Sequence, residues 1–280
     1  MKQRIITALL LAPLVVWGIF QLPFFFFLAA VTGVTLLGFW EWTKFTGGNS
    51  RLLALIPSLF LVGLSFAFMP VLPQTLSEAQ GPVQWMLLVG VVWWVVASLM
   101  AITYPHSSQF WSERPLFSYL FGALTLIPFL WSVALLRSIH LDVDPYYGAK
   151  LVLFVSCLVW AADSGAYFAG KSLGKHKMAP QVSPNKTIEG LVGGVIAALV
   201  VGWWLSGLFN IEFNGTVHML VVSFFTVVIS VLGDLVESMF KRVACVKDSG
   251  RIIPGHGGVL DRIDSLTAAF PVFAFLYLVF

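Results

Sequence analysis

The carboxylates best placed to do chemistry lie near the carboxy end of the chain, beside two apolar stretches. Four polar residues have the spacing i, i+3, i+4 and i+7, which places them on one face of a helix. These residues are Asp234, Glu237, Ser238 and Lys241. Asp261 and Asp264 share a helix face in the same way. Clustered carboxylates repel each other unless a cation lies between them, and hard oxygen ligands of this kind suit Mg²⁺ with substrate phosphates.

Positive charges and paired glycines accompany these acids. The cations are Lys241, Arg242, Lys247 and Arg262. Gly257 and Gly258 allow the backbone to come close to a phosphate. A loop of solvated charges that only fixes membrane topology would explain the cations, but not five acids near apolar helix ends. The stretch therefore predicts a membrane-embedded site for magnesium and phosphoanions.

Two further polar clusters lie upstream. Residues 183–190 open an apolar run, and Ser183 and Thr187 suit the start of a helix. Such a start can bind an anion, with Lys186 adding a full charge, although a capped helix with a topogenic lysine is the alternative. Asp163 lies inside an apolar helix, where an ionisable group costs about 2.5–3.5 kcal/mol on insertion. That cost favours a functional role for Asp163 over a wetted helix end.

Residues 165–172 fit the P-loop pattern G-x-x-x-x-G-K-[ST] letter for letter. A P-loop lies between a β-strand and a helix, and its backbone wraps around the phosphates. Here the preceding stretch is an apolar helix, with no Val/Ile strand pattern or βαβ unit nearby. Residues 166–169 resemble the end of that helix, so we reject a P-loop.

The elements that must position these groups are unusually apolar. Of 280 residues, 59% are hydrophobic and 10% charged, whereas a soluble domain carries about 25% charged residues. Disordered, collagenous, coiled-coil and secreted disulfide-rich classes are excluded by the same numbers. Two cysteines are too few for a structural zinc site. Cys157 lies in an apolar run and Cys245 in a polar loop, so we do not expect a disulfide between them. The predicted class is an all-α polytopic integral membrane protein.

About nine apolar runs are candidate transmembrane helices, since about 20 residues cross a ~30 Å hydrocarbon core. They cover residues 5–20, 24–40, 52–69, 83–104, 119–136, 151–168, 188–208, 218–232 and 266–280. The first two runs are short and Pro23 offers a turn, so we predict a hairpin. A cleaved signal peptide is the alternative for the first run, but a small-x-small cleavage site is missing near its end.

Lysine and arginine fix the predicted orientation. With the amino terminus in the cytoplasm, 14 of the 16 Lys and Arg residues are cytoplasmic, leaving only Arg137 and Lys150 outside. We expect a bacterial-type inner membrane location with the site at the cytoplasmic face. Residues 1–150 would form a scaffold of about five spans. Residues 151–280 would form a catalytic region of about four spans, with cytoplasmic loops at 169–187 and 233–265.

The stretch from Ser238 to Asp264 resembles the signature of the phosphatidate cytidylyltransferases (CDP-diglyceride synthetases). The residues at the fixed positions of that signature are Ser238, Lys241, Arg242, Lys247, Asp248, Gly250, Ile253, Pro254, His256, Gly257, Gly258, Asp261, Arg262 and Asp264. Residues 163–167 and 183–190 resemble the family's other shared segments. A match of this kind over 27 residues is highly specific, while the first half of the chain is similar only in hydropathy.

The resemblance implies condensation of CTP with phosphatidic acid at the cytoplasmic face, giving CDP-diacylglycerol and pyrophosphate. The lipid phosphate would attack the α-phosphorus of CTP in line. Because phosphate monoesters lose their second proton near pH ~6, this nucleophile is already an anion and a strong general base is not required. Catalysis would then consist mainly of positioning and charge neutralisation.

On this resemblance Asp234, Asp261 and Asp264 are expected to bind Mg²⁺, and a second cation is left open. The expected phosphate ligands are Lys186, Lys241, Arg242, Lys247 and Arg262. The other expected substrate contacts are Ser183, Thr187, Glu189, Gly257 and Gly258. His256 could donate to the leaving pyrophosphate or pack within its loop. Ser238 could position a phosphate or bind a metal through water, and Asp163 could bind the metal or the cytosine.

Three other functions compete with this interpretation. A CTP-dependent polyprenol-type lipid kinase would share the helices and carboxylates but would need a general base for a neutral hydroxyl. The D-G-x-x-A-R pattern of CDP-alcohol phosphotransferases is absent from the sequence. A transporter would have sites near the midplane and internal symmetry, whereas these charges gather at one face. Expected partners are CTP, phosphatidic acid and membrane lipids, without nucleic acid; a homodimer is left open.

Overall fold

The computed structural model describes residues 2–47, 50–255 and 257–279, with only the backbone described for residues 2–6 and 8. The helices are α1 (Lys2–Gln21), α2 (Phe24–Trp42), α3 (Arg51–Phe68), α4 (Pro73–Ser77), α5 (Pro82–Ile102), α6 (Ser108–Trp111), α7 (Pro115–Ser138), α8 (Tyr147–Leu173), α9 (Ile188–Phe209), α10 (Thr216–Val243) and α11 (Leu260–Val279). A 3₁₀ turn, Thr43–Phe45, continues α2. Strands β1 (Lys177–Ala179) and β2 (Ser183–Thr187) form an antiparallel hairpin between α8 and α9.

Eight of the described helices are long and apolar enough to cross a membrane: α2 with its 3₁₀ turn, α3, α5, α7, α8, α9, α10 and α11. The first predicted span is a shorter apolar helix over Leu9–Gln21. The turn predicted at Pro23 separates α1 from α2. These helices confirm the all-α polytopic membrane class.

Helix α7 lies at the centre of the bundle. It is the most buried of the eight spans and packs against α2, α3, α5, α8 and α11. Leu130, Trp131 and Leu135 on α7 are fully buried. By contrast, α3 and α9 bury only a small share of their residues, as helices that face lipid do. Helices α2, α3 and α5 from the first half of the chain and α8 and α11 from the second half therefore pack around α7.

Helices α8 and α9 pack closely through small residues. A Cβ added at Gly165 would lie 2.6 Å from the Cβ of Ala197, and one at Gly194 would lie 2.6 Å from the carbonyl oxygen of Ala162. Small residues at such positions let two membrane helices approach backbone to backbone. Because Asp163 follows Ala162, this contact fixes the part of α8 that carries Asp163.

Helices α8 and α10, with 27 and 28 residues, are longer than a bilayer core requires. At 1.5 Å per residue each is about 40 Å long, against a core of ~30 Å, so the ends of these helices can carry polar groups beyond the lipid. The two predicted loops are correspondingly shorter. Residues 169–173 belong to α8, 233–243 to α10 and 260–265 to α11.

The structure corrects the helix start expected around Ser183. Residues Ser183–Thr187 are a strand, and α9 begins at Ile188, with the Thr187 hydroxyl accepting a 3.1 Å hydrogen bond from the Gly190 amide. Pro184 disfavours a helical conformation at the residue before it, which explains the extended backbone. Residues 165–172 are helical throughout, so the rejection of a P-loop is confirmed.

Candidate active site

A cavity of about 500 Å³ lies where α8, the β-hairpin, α9, α10 and α11 meet. Its charged lining residues are Asp163, Lys186, Asp234, Lys241, Asp248, Asp261, Arg262 and Asp264. Ser183 and Thr187 of the hairpin also line it. The three polar clusters that are separate in the sequence thus surround one cavity. The structure brings together most of the residues expected to bind substrate and metal.

An ion pair fastens the hairpin to α10. The Lys186 Nζ lies 2.5 Å from Asp234 Oδ2 and donates to the Val231 carbonyl at 3.1 Å. One turn further along α10, the Ser238 hydroxyl donates to Asp234 Oδ1 at 3.4 Å. Lys186 and Asp234 both keep part of their side chains exposed to the cavity. A cation and a carboxylate are therefore held side by side at its wall.

Lys241, two turns further along α10 than Asp234, lies between two acids. Its Nζ is 2.6 Å from Glu237 Oε2, one turn back on α10, and 3.0 Å from Asp261 Oδ1 on α11. Asp261 also accepts hydrogen bonds from the backbone amides of Ser249, at 3.0 Å, and Gly258, at 2.8 Å. Since both oxygens of Asp261 are engaged, its carboxylate has a fixed orientation at the first turn of α11.

Asp163 and Asp264 complete the acidic side of the cavity. Asp234 and Glu237 lie close enough to Asp264 to act on it electrostatically. Asp163 is affected in the same way by Asp234, Lys186 and Arg262. Five carboxylates thus face three cations around the cavity. Such an excess of negative charge favours cation binding.

The donor set fits magnesium in its chemistry. Asp163, Asp234, Asp261 and Asp264 supply carboxylate oxygens to one cavity, and Mg²⁺ prefers oxygen ligands. Among the residues described, however, no three His, Cys, Asp or Glu side chains stand in an arrangement ready to hold a metal ion. Lys186 and Lys241 pair with two of these acids instead. Magnesium binding stays a prediction.

Arg242 and Glu189, expected at the substrate, lie outside this cavity and support the hairpin. The Arg242 Nε donates to the Val182 carbonyl at 3.0 Å, in the turn between β1 and β2. The Glu189 carboxylate accepts hydrogen bonds from the backbone amides of Lys175 and His176, at 3.0 and 3.2 Å. Both side chains therefore hold the segment that carries Lys186.

A second cavity, of about 600 Å³, adjoins the first. Lys247, Arg251 and Gly257 line it, and Asp248 and Arg262 line both cavities. Gly257 has a φ of +90°, a conformation that glycine adopts without strain. Three cations make this cavity suitable for an anion. His256, expected near the leaving group, is outside the described residues.

Some residues of the site were missed by the sequence analysis. Tyr167, Met178 and Asn185 line the main cavity. Asn185 lies between Pro184 and Lys186, within the cluster at 183–190, so its position was the available signal. Glu41, at the end of α2, is buried and contacts the segment leading into α11. An acid at the end of an apolar run was the available signal.

Comparison with known proteins extends the similarity to the whole chain. The sequence model of the Cytidylyltransferase family matches residues 2–280. A phosphatidate cytidylyltransferase of Haemophilus influenzae is 45% identical, over 99% of this chain and 98% of that protein. Those of Pseudomonas aeruginosa and Bacillus subtilis are 40% and 35% identical, over 99% and 100% of this chain and 96% and 98% of theirs. The similarity therefore includes the first half.

Proposed function

The chain belongs to the cytidylyltransferase family, and we propose that it is a phosphatidate cytidylyltransferase, which condenses CTP with phosphatidic acid. The observation that carries this proposal is the cavity in which Lys186, Lys241 and Arg262 stand among carboxylates at the ends of membrane helices. A site of this composition accepts phosphates and a divalent cation, while the surrounding helices give a lipid access from the side.

The reaction forms a bond between an oxygen of the lipid phosphate and the α-phosphorus of CTP. The bond from the α-phosphorus to the bridging oxygen of the β-phosphate breaks, and pyrophosphate leaves with that electron pair. The main obstacle is repulsion between two polyanions, so fixed positive charge lowers the barrier. Lys186 and Lys241 provide it, and their ion pairs hold both ammonium groups in place before substrate arrives.

Arg262 indicates how CTP lies in the site. Its side chain lines the main cavity and the adjoining one, where Lys247 and Arg251 add positive charge. We place the triphosphate across this boundary, with its terminal phosphates toward Lys247. The α-phosphate then faces Lys241 and the lipid phosphate approaches from the side of Lys186. A guanidinium suits this bridging position because it can bind two phosphate oxygens at once.

For the metal we propose Asp234, Asp261 and Asp264 as the residues that would hold Mg²⁺, with Asp163 nearby. When bound, the ion would supply further neutralisation of the triphosphate. The excess of carboxylates over cations in the cavity supports this assignment.

We also propose the inner membrane of a bacterium as the location, with the site at the cytoplasmic face. The relatives named above are bacterial, and CTP is a cytoplasmic substrate. The predicted spans put nearly all Lys and Arg residues on that side, as the positive-inside rule requires. This orientation gives the cavity direct access to CTP.

The test uses the purified protein with phosphatidic acid, magnesium and CTP labelled at either of two phosphates. A cytidylyltransferase transfers label from [α-³²P]CTP into the chloroform phase and releases the γ-label as pyrophosphate. A lipid kinase would transfer only the γ-label, given an alcohol acceptor. A transporter would incorporate neither label. Absence of α-label in the lipid with phosphatidic acid present would overturn the proposed function.

A further inference from the structure

Glu41 links the first half of the chain to the segment that carries the family signature. It lies at the end of α2, is only 1% exposed, and its Oε2 accepts two hydrogen bonds. One comes from the Ser249 hydroxyl at 3.0 Å and the other from the Leu260 amide at 2.8 Å. These donors are 208 and 219 residues away in the sequence. A carboxylate buried among distant parts of the chain is costly unless it is well bonded.

The two residues that donate to Glu41 belong to the segments that orient Asp261. Ser249 donates its hydroxyl to Glu41 and its backbone amide to Asp261. Leu260 precedes Asp261 in the first turn of α11, where a negative charge is also favoured by the helix dipole. Glu41 thus holds both the loop residue that bonds Asp261 and the helix turn that carries it. Asp261 in turn contacts Lys241 in the cavity.

Two glycines pack directly against the carboxylate of Glu41. A Cβ added at Gly250 or Gly258 would clash with the oxygens of Glu41. Oε1 is buried and has no hydrogen-bond partner among the described residues. Two glycines of the signature therefore fit against a single acid from the first half of the chain. Leaving a buried acceptor unpaired costs free energy.

We propose that Glu41 is a positioning residue for cytidylyl transfer. Through Ser249 and the first turn of α11 it fixes the orientation of Asp261, and with it the position of Lys241. This inference rests on the proposed function. It also assigns a role to the amino-terminal half, which provides the support against which the catalytic segment is held.

The experiment compares Glu41→Ala, Glu41→Gln, Ser249→Ala and the double variant Glu41→Ala/Ser249→Ala in the labelled-CTP assay. Glu113→Gln is the control, because Glu113 is an exposed acid. Glu113 lies at the same end of the bundle as Glu41, since the backbone carbonyl of Ser118, five residues after Glu113, accepts a hydrogen bond from the indole of Trp42, the neighbour of Glu41. For each variant, kcat, the KM for CTP, the dissociation constant of CTP and the melting temperature in detergent are measured.

We expect Glu41→Ala to lower kcat by about tenfold to a hundredfold, since misplacing a catalytic group by about 1 Å has effects of this size. The KM and the binding of CTP should change less than about threefold. Glu41→Gln should recover part of kcat, because its amide oxygen can accept the same two hydrogen bonds. The double variant should be hardly slower than Glu41→Ala alone, since both changes break one connection.

Wild-type kcat in Glu41→Ala would overturn the inference, as would losses that multiply in the double variant. A fall in melting temperature and in CTP binding that matches the loss of kcat would indicate a structural role only and would also overturn it. If Glu41→Ala does not fold, Glu41→Gln and Ser249→Ala decide by the same kcat and CTP-binding criteria. Wild-type protein that makes no labelled lipid would instead defeat the proposed function.

Discussion

The ammonium group of Lys186, on strand β2, lies 2.5 Å from the carboxylate of Asp234, the first residue of the polar cluster at 234–242 on α10. The pair joins a short hairpin outside the bundle to a helix that crosses it. Both side chains remain partly exposed to the cavity, so neither charge is removed from contact with a ligand. The ion pair is therefore part of the site as well as a fastening of the hairpin.

Replacing Lys186 with Gln should lower kcat/KM for CTP by about tenfold to a thousandfold, the range seen when a group that stabilises transition-state charge is removed. The variant loses a phosphate-neutralising cation and leaves Asp234 without its partner. Lys171→Gln is the control, because Lys171 is exposed in the last turn of α8 beside Tyr167. Equal sensitivity of Lys171 would contradict a specific role for Lys186 at the substrate.

Lys241 and Arg242 are neighbours in the sequence but should respond differently. Lys241→Gln removes a cation that lines the cavity and leaves the buried Glu237 unpaired, so kcat should fall by at least about a hundredfold. Arg242→Gln removes a hydrogen bond to Val182, and its effect should be a modest loss of melting temperature. Steady-state kinetics and thermal unfolding of both variants make the comparison. Equal losses of kcat would place Arg242 at the substrate.

The sequence predicts those residues of the site that stand in recognisable polar clusters along the chain. Lys186, Asp234 and Lys241 stand in short polar clusters within an apolar chain, so their types and spacing indicate a phosphate and metal site. Glu41 has no local partner; its bonds to Ser249 and Leu260 depend on how distant helices pack. The hydrophobic pattern of a single sequence does not predict which residues of distant helices come into contact.

The hairpin shows a second limit of sequence-based prediction. Ser183 and Thr187 are residue types that cap helices, and Thr187 does cap α9. The segment before it is a strand because β1 supplies its hydrogen bonds, a pairing that depends on tertiary context. Arg242 was expected to bind phosphate from its charge and its position in the family signature, whereas in the structure it donates to the β1–β2 turn.

The close packing of α8 and α9 should be sensitive to a single methyl group. Gly194→Ala would place a Cβ 2.6 Å from the carbonyl oxygen of Ala162, which is backbone and cannot yield without moving the helix. We expect a destabilisation of about 1–3 kcal/mol and reduced activity, because Asp163 follows Ala162. Gly207→Ala on the same helix is the control, since nothing lies within 4 Å of its added Cβ. Similar melting temperatures for the two variants would contradict the packing described.

The native cysteines allow a test of orientation. Cys245 is exposed between α10 and α11, and Cys157→Ser would leave it as the only thiol. In intact cells, Cys245 should resist a membrane-impermeant maleimide and should react after permeabilisation. Val143→Cys in a Cys245→Ser, Cys157→Ser background is the opposite control, because Val143 is 82% exposed in the loop expected outside. Labelling of Cys245 from outside would place the cavity on the wrong side for CTP.

Asp234 and Asp261 should behave as one unit. They lie on different helices, line the same cavity and each pairs with a different lysine. Asp→Asn keeps the size of the side chain and removes one negative charge. We expect either Asp234→Asn or Asp261→Asn to lower kcat by at least about a hundredfold while the protein stays folded in detergent.

The double variant distinguishes two roles for these carboxylates. If each acid served only to hold its own lysine, the two losses would be independent and would multiply. If Asp234 and Asp261 bind the same Mg²⁺, removing either one already disables the unit, and the double variant should be hardly worse than a single one. Elevated Mg²⁺ should then restore a single variant at most in part. Multiplying losses would show that Asp261 orients Lys241 without binding metal. Substantial activity of Asp261→Asn at ordinary magnesium would overturn the assignment of Asp261 to the metal.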